Sequence, residues 1–110
     1  MTIVIDTRQI IDSASFHKVF AAAFGFFEGY GNNIDAWIDC MSGLDDEAEV
    51  SLSKVTCEIG DTVVLHLEHA ADFAAREAHL FQELLDCSAF VNWRRIEKGD
   101  RAILALSYHK

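Results

Sequence analysis

Two apolar segments constrain the fold more than any other feature of this sequence. Residues 62–67 (TVVLHL) and 103–107 (ILALS) are short and almost continuously apolar. Strands of this kind are typical of parallel sheets, which are buried on both faces and connected by helices. A β-branched segment at residues 2–6 (TIVID) predicts a further strand. We therefore expect an α/β fold with a short parallel sheet of about three strands, covered by helices in two or three layers.

A helical pattern follows the first predicted strand. Apolar residues recur three and four positions apart from Phe16 to Phe24, and Gly25 is expected to end the helix. Residues 26–31 contain two glycines and predict a loop. The N-cap of this helix is expected to be one of three residues with short polar side chains: Asp12, Ser13 or Ser15.

A second helix is predicted to begin after Asn32 or Asn33, either of which can act as its N-cap. The residues expected on its buried face are Ile34, Trp37, Ile38 and Met41.

The second half of the chain predicts two more helices. Residues 70–87 and 89–98 have helical periodicity, with Ser88 as the cap of the later helix and Gly99 at its end. Residues 44–49 (LDDEAE) form an acidic connector, and residues 50–59 fit either an edge strand or an extended loop.

Size and charge limit the possible functions. The 110 residues predict a single domain, 1–110, and 18 acidic against 9 basic residues give a formal net charge of −9. This charge repels nucleic acid and anionic lipid, so it indicates either a solubilising surface or a basic protein partner. The N-terminal residues lack a basic segment and no apolar run could span a bilayer. We expect a cytoplasmic protein that binds neither membranes nor nucleic acid.

Residues able to perform chemistry do not form a recognisable site. Cys40, Cys57 and Cys87 lack the spacing of a redox or metal motif and are expected to be free thiols. His66 and Glu68 can share a strand face, but the other histidines are scattered. We expect no catalytic residue, metal or cofactor, and hence no enzyme.

Two aspartates on the second predicted helix need an explanation. Asp35 and Asp39 are four residues apart, where like charges destabilise a helix, and no Lys or Arg lies nearby in the sequence. Ser42 and Asp46 continue the same face. We call these four residues the acidic ridge. It is either a solvated helix face or a docking surface for a cationic partner.

The segment that carries the ridge resembles the barstar family. In that family a tyrosine-glycine loop leads into a helix reading roughly N-L-D-A-L-W-D-C, and the order of strand, helix, loop and helix is similar. The matching residues here are Tyr30-Gly31, Asn33, Asp35-Ala36 and Asp39-Cys40.

The resemblance implies a protein inhibitor that blocks the active site of a basic ribonuclease toxin, as a 1:1 complex. It implies that Asp39 occupies the phosphate subsite of the nuclease, since a carboxylate can mimic phosphate for a bidentate arginine. The resemblance implies partner contacts by Asp35 and Asp39 and by backbone and aromatic groups of the loop residues Gly29, Tyr30 and Gly31. With Asn33, and with Ser42 and Asp46 of the acidic ridge, these residues form the predicted partner-binding surface.

The sequence also departs from the family pattern. Gly29 stands where an aromatic residue is frequent, and Ile38 where a tryptophan precedes the second aspartate. Trp37 is one position earlier, about a hundred degrees around the helix, and so is not an equivalent. We infer a nuclease different from the barnase type. The alternatives are a small acidic interaction domain and an enzyme without a nuclease partner.

Overall fold

The computed structural model describes residues 1–110 and contains three strands and four α-helices. The strands are β1 (Thr2–Asp6), β2 (Val63–Glu68) and β3 (Leu104–Ser107). The helices are α1 (Ser13–Phe24), α2 (Ile34–Ser42), α3 (Ala70–Arg76) and α4 (Ala78–Glu97). All three predicted strands are present, within a residue of their expected bounds.

The strands form one parallel sheet in the order β1, β2, β3, with Thr2 paired to Val64 across the first two. Along β2 the buried residues alternate with more exposed ones; the buried ones are Val63, Leu65 and Leu67. One face of the sheet is therefore packed against the helices, through α1 on β1 and α4 on β3, and the other face is partly open. The predicted α/β class with a three-stranded parallel sheet is confirmed, in its two-layer form.

Local signals define the ends of α1 and the start of α2 as predicted. The Asp12 carboxylate accepts a hydrogen bond from the N–H of Ser15 and caps α1. Gly25 ends that helix at φ 66°, a left-handed conformation that glycine adopts without steric cost. Of the two candidate caps for α2, Asn33 is the one used, and its side chain accepts from the N–H of Ala36.

The core that supports α2 is largely aromatic. Phe16, Phe20 and Phe24 project from one face of α1, and Trp37 of α2 packs against the first two of these rings. Trp37 and Met41 are completely buried. The predicted buried face of α2 is confirmed, although Ile34 is only partly covered. Burial of this face orients α2 and leaves its opposite face to solvent.

The predicted division of the third and fourth helices is wrong. The chain leaves the helical conformation at Glu77 (φ −133°), and α4 then continues through Ser88 to Glu97. The Arg76 guanidinium donates to the carbonyls of Thr7 and Ile10, so the end of α3 is held against the turn after β1. Tertiary contacts thus break a periodic pattern that is locally continuous.

Ser88 lies inside α4 because it belongs to that helix's buried face. It is 3% exposed and aligned with buried residues one and two turns away, namely Leu84, Val91 and Arg95. The buried face of α4 continues past Ser88 to Val91 and Arg95, so the helix is not interrupted there. Ser88 is therefore an interior residue of the helix and not its N-cap.

Residues 50–59, whose sequence fits either a strand or a loop, are irregular. Their backbone covers the C-terminal end of α1: Lys54 N–H donates to the Gly25 carbonyl, and Val55 N–H and the Ser53 hydroxyl both donate to the Phe24 carbonyl. An isolated bridge joins Phe26 to Ser53. The segment therefore satisfies carbonyl groups that the end of α1 leaves free.

We predict that the three thiols stay reduced, and that Cys40 and Cys87 are unreactive in the folded protein. Cys40 and Cys87 are buried, and burial raises the pKa of each thiol to about 11, so little nucleophilic thiolate is present at neutral pH. Intact mass with and without reductant should be identical, and a thiol reagent should label both residues only after denaturation. A native mass two hydrogens lower than the reduced mass would contradict this prediction.

Candidate partner-binding surface

The loop before α2 is built around a buried tyrosine. The Tyr30 hydroxyl lies 2.6 Å from Nδ1 of His17, and the two side chains are 8% and 2% exposed. Burial lowers the pKa of His17, which favours the neutral imidazole, and raises the pKa of Tyr30. Tyr30 thus anchors the loop to α1, and its ring faces the core. The backbone at Gly29 and Gly31 remains exposed.

Asn33 joins this loop to α2. Its side-chain oxygen caps the helix, and its amide nitrogen donates to the Gly31 carbonyl at 3.2 Å. Asn33 therefore fixes the angle at which the loop enters α2. Its side chain is also exposed to solvent.

The acidic ridge lies on the solvent-facing side of α2, opposite Trp37 and Met41. Asp35 is exposed in the first turn of the helix, where the helix dipole favours a carboxylate. The Asp39 side chain is 61% exposed one turn later. Ser42 is partly buried, and its hydroxyl donates to the Ile38 carbonyl at 2.6 Å.

A cavity of about 390 Å³ at the C-terminal end of α2 divides the predicted residues into two groups. Asp39, Ser42 and Asp46 line it, together with two further acids, Asp45 and Asp100, and two basic residues, Arg95 and Lys98. Asp35 and the residues of the loop lie outside it, toward the N-terminal end of the helix. Two of the three predicted carboxylates, Asp39 and Asp46, therefore lie at the C-terminal end of α2, and Asp35 lies at the other end.

The premise that Asp39 has no neighbouring cation is wrong in three dimensions. The Arg94 guanidinium of α4 donates to the Ser42 hydroxyl at 2.6 Å and lies 3.5 Å from the Asp39 carboxylate. Because the contact spans 55 residues of sequence, no local pattern indicates it. Asp39 is thus partly neutralised within the chain, whereas Asp35 is in no ion pair of the structure.

A buried ion pair holds the C-terminal end of α2. Arg95 is 8% exposed and makes a two-point contact with the Asp45 carboxylate at 3.0 and 2.7 Å. The same guanidinium donates to the carbonyls of Ser42 and Arg101. Arg95 therefore joins α2, its acidic connector, α4 and the approach to β3 at one point. Sequence analysis did not identify this residue.

The histidines do not form a second site. His66 Nδ1 lies 2.9 Å from the Ser107 hydroxyl on the open face of the sheet, and His17 belongs to the core. No group of three or more His, Cys, Asp or Glu side chains is arranged to hold a metal ion. The exposed carboxylates on and just after α2 that form no ion pair are those of Asp35, Asp46, Glu47 and Glu49.

The Barstar family model, described as barstar (barnase inhibitor), matches residues 1–104. The chain belongs to the Barstar family. The match includes β1, β2, the loop and all four helices, and it ends at Leu104, the first residue of β3. A search of curated proteins finds no match to the chain.

Membership of the Barstar family gives the general role of the fold, which is the inhibition of a ribonuclease by protein binding. None of the four helices has both the length and the hydropathy needed to cross a membrane. Of the residues that differ from the family pattern, Gly29 is exposed, whereas Trp37 is fully buried and Ile38 is 8% exposed. The solvent-facing side of α2 therefore has no tryptophan: the indole of Trp37 lies in the core, and Ile38 is aliphatic.

Proposed function

We propose that this protein is a cytoplasmic immunity protein that inhibits a cationic ribonuclease toxin in a 1:1 complex. The exposed carboxylates of α2 and the backbone of the preceding loop would cover the active site of the nuclease. The catalytic arginines and lysines of such an enzyme would then bind carboxylates in place of RNA phosphates.

One observation carries the proposal: Asp35 and Asp39 stand exposed on one face of a helix that is fixed at both ends. Asn33 and the buried Tyr30 hold its N-terminal end, and Arg95 holds its C-terminal end. A helix held in this way loses little conformational entropy on binding, which favours affinity. Membership of the Barstar family supplies the class of partner.

Two ribonucleases are suitable probes. One is the basic ribonuclease encoded next to this gene, if the neighbourhood contains one, and the other is barnase. We expect RNA cleavage by the cognate enzyme to fall to zero at one molar equivalent of inhibitor. Activity that persists at a large molar excess, with both nucleases, would contradict the proposed function.

Association should slow steeply as salt is added. The net charge of −9 and the exposed carboxylates attract a basic nuclease at a distance, and salt screens such attraction within roughly 10 Å at 0.1 M. Electrostatic steering is best known from the barnase–barstar pair, the prototype of this family, and we adopt the size of the effect from that pair. Stopped-flow association over a salt series measures it. An association rate that is independent of salt would exclude steering.

A further inference from the structure

The outer edge of β3 is covered by one side chain of α4. The carboxamide oxygen of Asn92 accepts hydrogen bonds from the N–H groups of Ile103 and Leu104, at 2.9 and 3.0 Å. Its carboxamide nitrogen donates to the Leu104 carbonyl at 2.8 Å. A carboxamide carries an acceptor oxygen and an N–H donor, the two kinds of group that the backbone of a neighbouring strand would offer. Asn92 therefore takes the place of a neighbouring strand at Leu104.

The register of the sheet shows which backbone groups β3 leaves at its outer edge. Val63 of β2 pairs with Leu104, and its N–H donates to the Ile103 carbonyl at 2.8 Å. Successive residues of a strand direct their backbone groups to opposite sides, so those of Leu104 and Leu106 face away from β2. These are the two outward-facing residues of a four-residue strand, and no strand lies beyond it. Asn92 thus occupies half of the edge.

The sequence of this edge strand would otherwise favour pairing with another chain. Residues 102–108 (AILALSY) contain no charged residue, proline or glycine. Uncharged segments of six or seven residues with high β-propensity are typical of strands that pair between molecules. The other edge strand, β1, ends in an ion pair between Asp6 and Arg8, and charged side chains are a usual protection of an exposed edge. Since β3 has no charge of its own, its protection comes from α4.

We propose that the outer edge of β3 is a contact surface for a second copy of this chain, and that Asn92 keeps this surface closed. The partner would be β3 of another molecule, because an uncharged apolar strand can pair with its own copy without placing like charges opposite each other. A cationic nuclease finds no carboxylate on this strand. The incoming strand would bond to Leu104 in place of Asn92, and also to Leu106.

Asn92 is held against β3 by the buried side chains next to it on α4. Val91 is 0% exposed, and Arg95 forms the buried pair with Asp45. The helix therefore cannot withdraw from the sheet without exposing part of the core. An incoming strand would have to break the three hydrogen bonds of Asn92 before it formed its own. Replacement of Asn92 by alanine removes this obstacle.

Net charge gives the proposed contact a second signature. Each copy carries −9, which opposes association between copies, and salt screens this repulsion. Pairing through an opened edge should therefore strengthen as salt is added. The association with a cationic nuclease should depend on salt in the opposite direction.

Light scattering over a series of protein and salt concentrations tests the proposal. We expect Asn92→Ala to show a mass about twofold higher than that of the wild type, or more, and to reach it more readily at high salt. The matched control is Thr7→Val, which removes a buried hydroxyl that donates to the Glu68 and His69 carbonyls at the end of β2 and leaves β3 covered. Adding Ala105→Lys to Asn92→Ala places a charge on the open face of β3 and should restore the wild-type mass.

Amide hydrogen exchange locates the contact. In the wild type the Leu104 amide should be protected, since it donates to Asn92, and the outward-facing Leu106 amide should exchange faster. In the associated Asn92→Ala variant both amides should be protected, because both would be bonded to the second copy.

Several results would overturn the inference. One is an Asn92→Ala variant with the mass of the wild type at every salt concentration. Another is association that leaves the Leu106 amide unprotected or that persists with Ala105→Lys, since the contact would then lie elsewhere. Equal association by Thr7→Val would identify lost stability as the cause.

The wild type alone decides the question if Asn92→Ala does not fold. A Leu104 amide that exchanges as fast as that of Leu106 would show that Asn92 does not close the edge, and a protected one would show that it does. None of these measurements uses a nuclease, so their failure leaves the proposed function intact.

Discussion

Replacing Asp39 by alanine should abolish most of the affinity for the nuclease while leaving the free protein folded. In the complex, truncation would leave the nuclease's cations buried and unpaired, at a cost of about 2–5 kcal/mol or more, a magnitude adopted from charge pairs of the barnase–barstar type. We expect dissociation to accelerate more than association slows.

The free protein should lose little stability from the same change. Asp39→Ala removes the exposed contact with Arg94, which contributes at most about 1 kcal/mol. It also relieves repulsion from Asp35 and introduces a better helix former, so the two effects nearly cancel, within about 1 kcal/mol.

Melting temperature and affinity should therefore be measured on Asp39→Ala and Asp35→Ala. Glu68→Ala is the matched control, because it removes one exposed carboxylate at the end of β2, away from α2. A variant Asp39→Ala that melts early yet binds normally when folded would identify Asp39 as a structural residue and contradict its role in docking.

Replacing Arg95 by methionine should destabilise the fold more than any substitution on the acidic ridge. The side chains of Arg95 and Asp45 are 9% and 13% exposed, so removal of the cation leaves a nearly buried carboxylate without a partner. Such losses cost about 3–5 kcal/mol, equivalent to a fall in melting temperature of more than about 10 °C. Chemical denaturation with two independent probes measures the effect.

A double variant separates the charge from the carbonyl contacts. Arg95→Met with Asp45→Leu removes both charges and should recover much of the stability, although the Ser42 and Arg101 carbonyls still lose their donor. Arg8→Met, which breaks an exposed pair with Asp6, is the control and should change stability little. A single Arg95→Met variant as stable as this control would show that the buried pair does not hold α2.

Local chemistry made much of the fold predictable. The caps at Asp12 and Asn33 and the left-handed Gly25 depend on neighbouring residues only, and the short apolar strands are visible as continuous segments. The exposed carboxylates of α2 followed from helical periodicity once its buried face was identified. These features require no knowledge of how distant segments meet.

The features that sequence patterns missed depend on residues far apart in the chain. Arg76 ends α3 by contacting the turn after β1, more than 60 residues away, and Arg94 approaches Asp39 across 55 residues. Sequence patterns also do not indicate that the Tyr30 hydroxyl meets His17 of α1, 13 residues earlier, or that both side chains are buried. Periodicity describes neighbouring residues and cannot indicate contacts between distant segments. For a tyrosine it also cannot distinguish the core from an interface, because the apolar ring and the polar hydroxyl suit both environments.

The contact of Arg95 with Ser42 and Asp45 has a consequence during translation. The ribosome completes α2 long before it adds Arg95, which follows these residues by 53 and 50 positions. At roughly 5–20 residues per second, a nascent chain spends several seconds with α2 already made but not yet held at its C-terminal end. The C-terminal end of α2 can therefore become rigid only after the ribosome has added Arg95 and α4 has packed against α2.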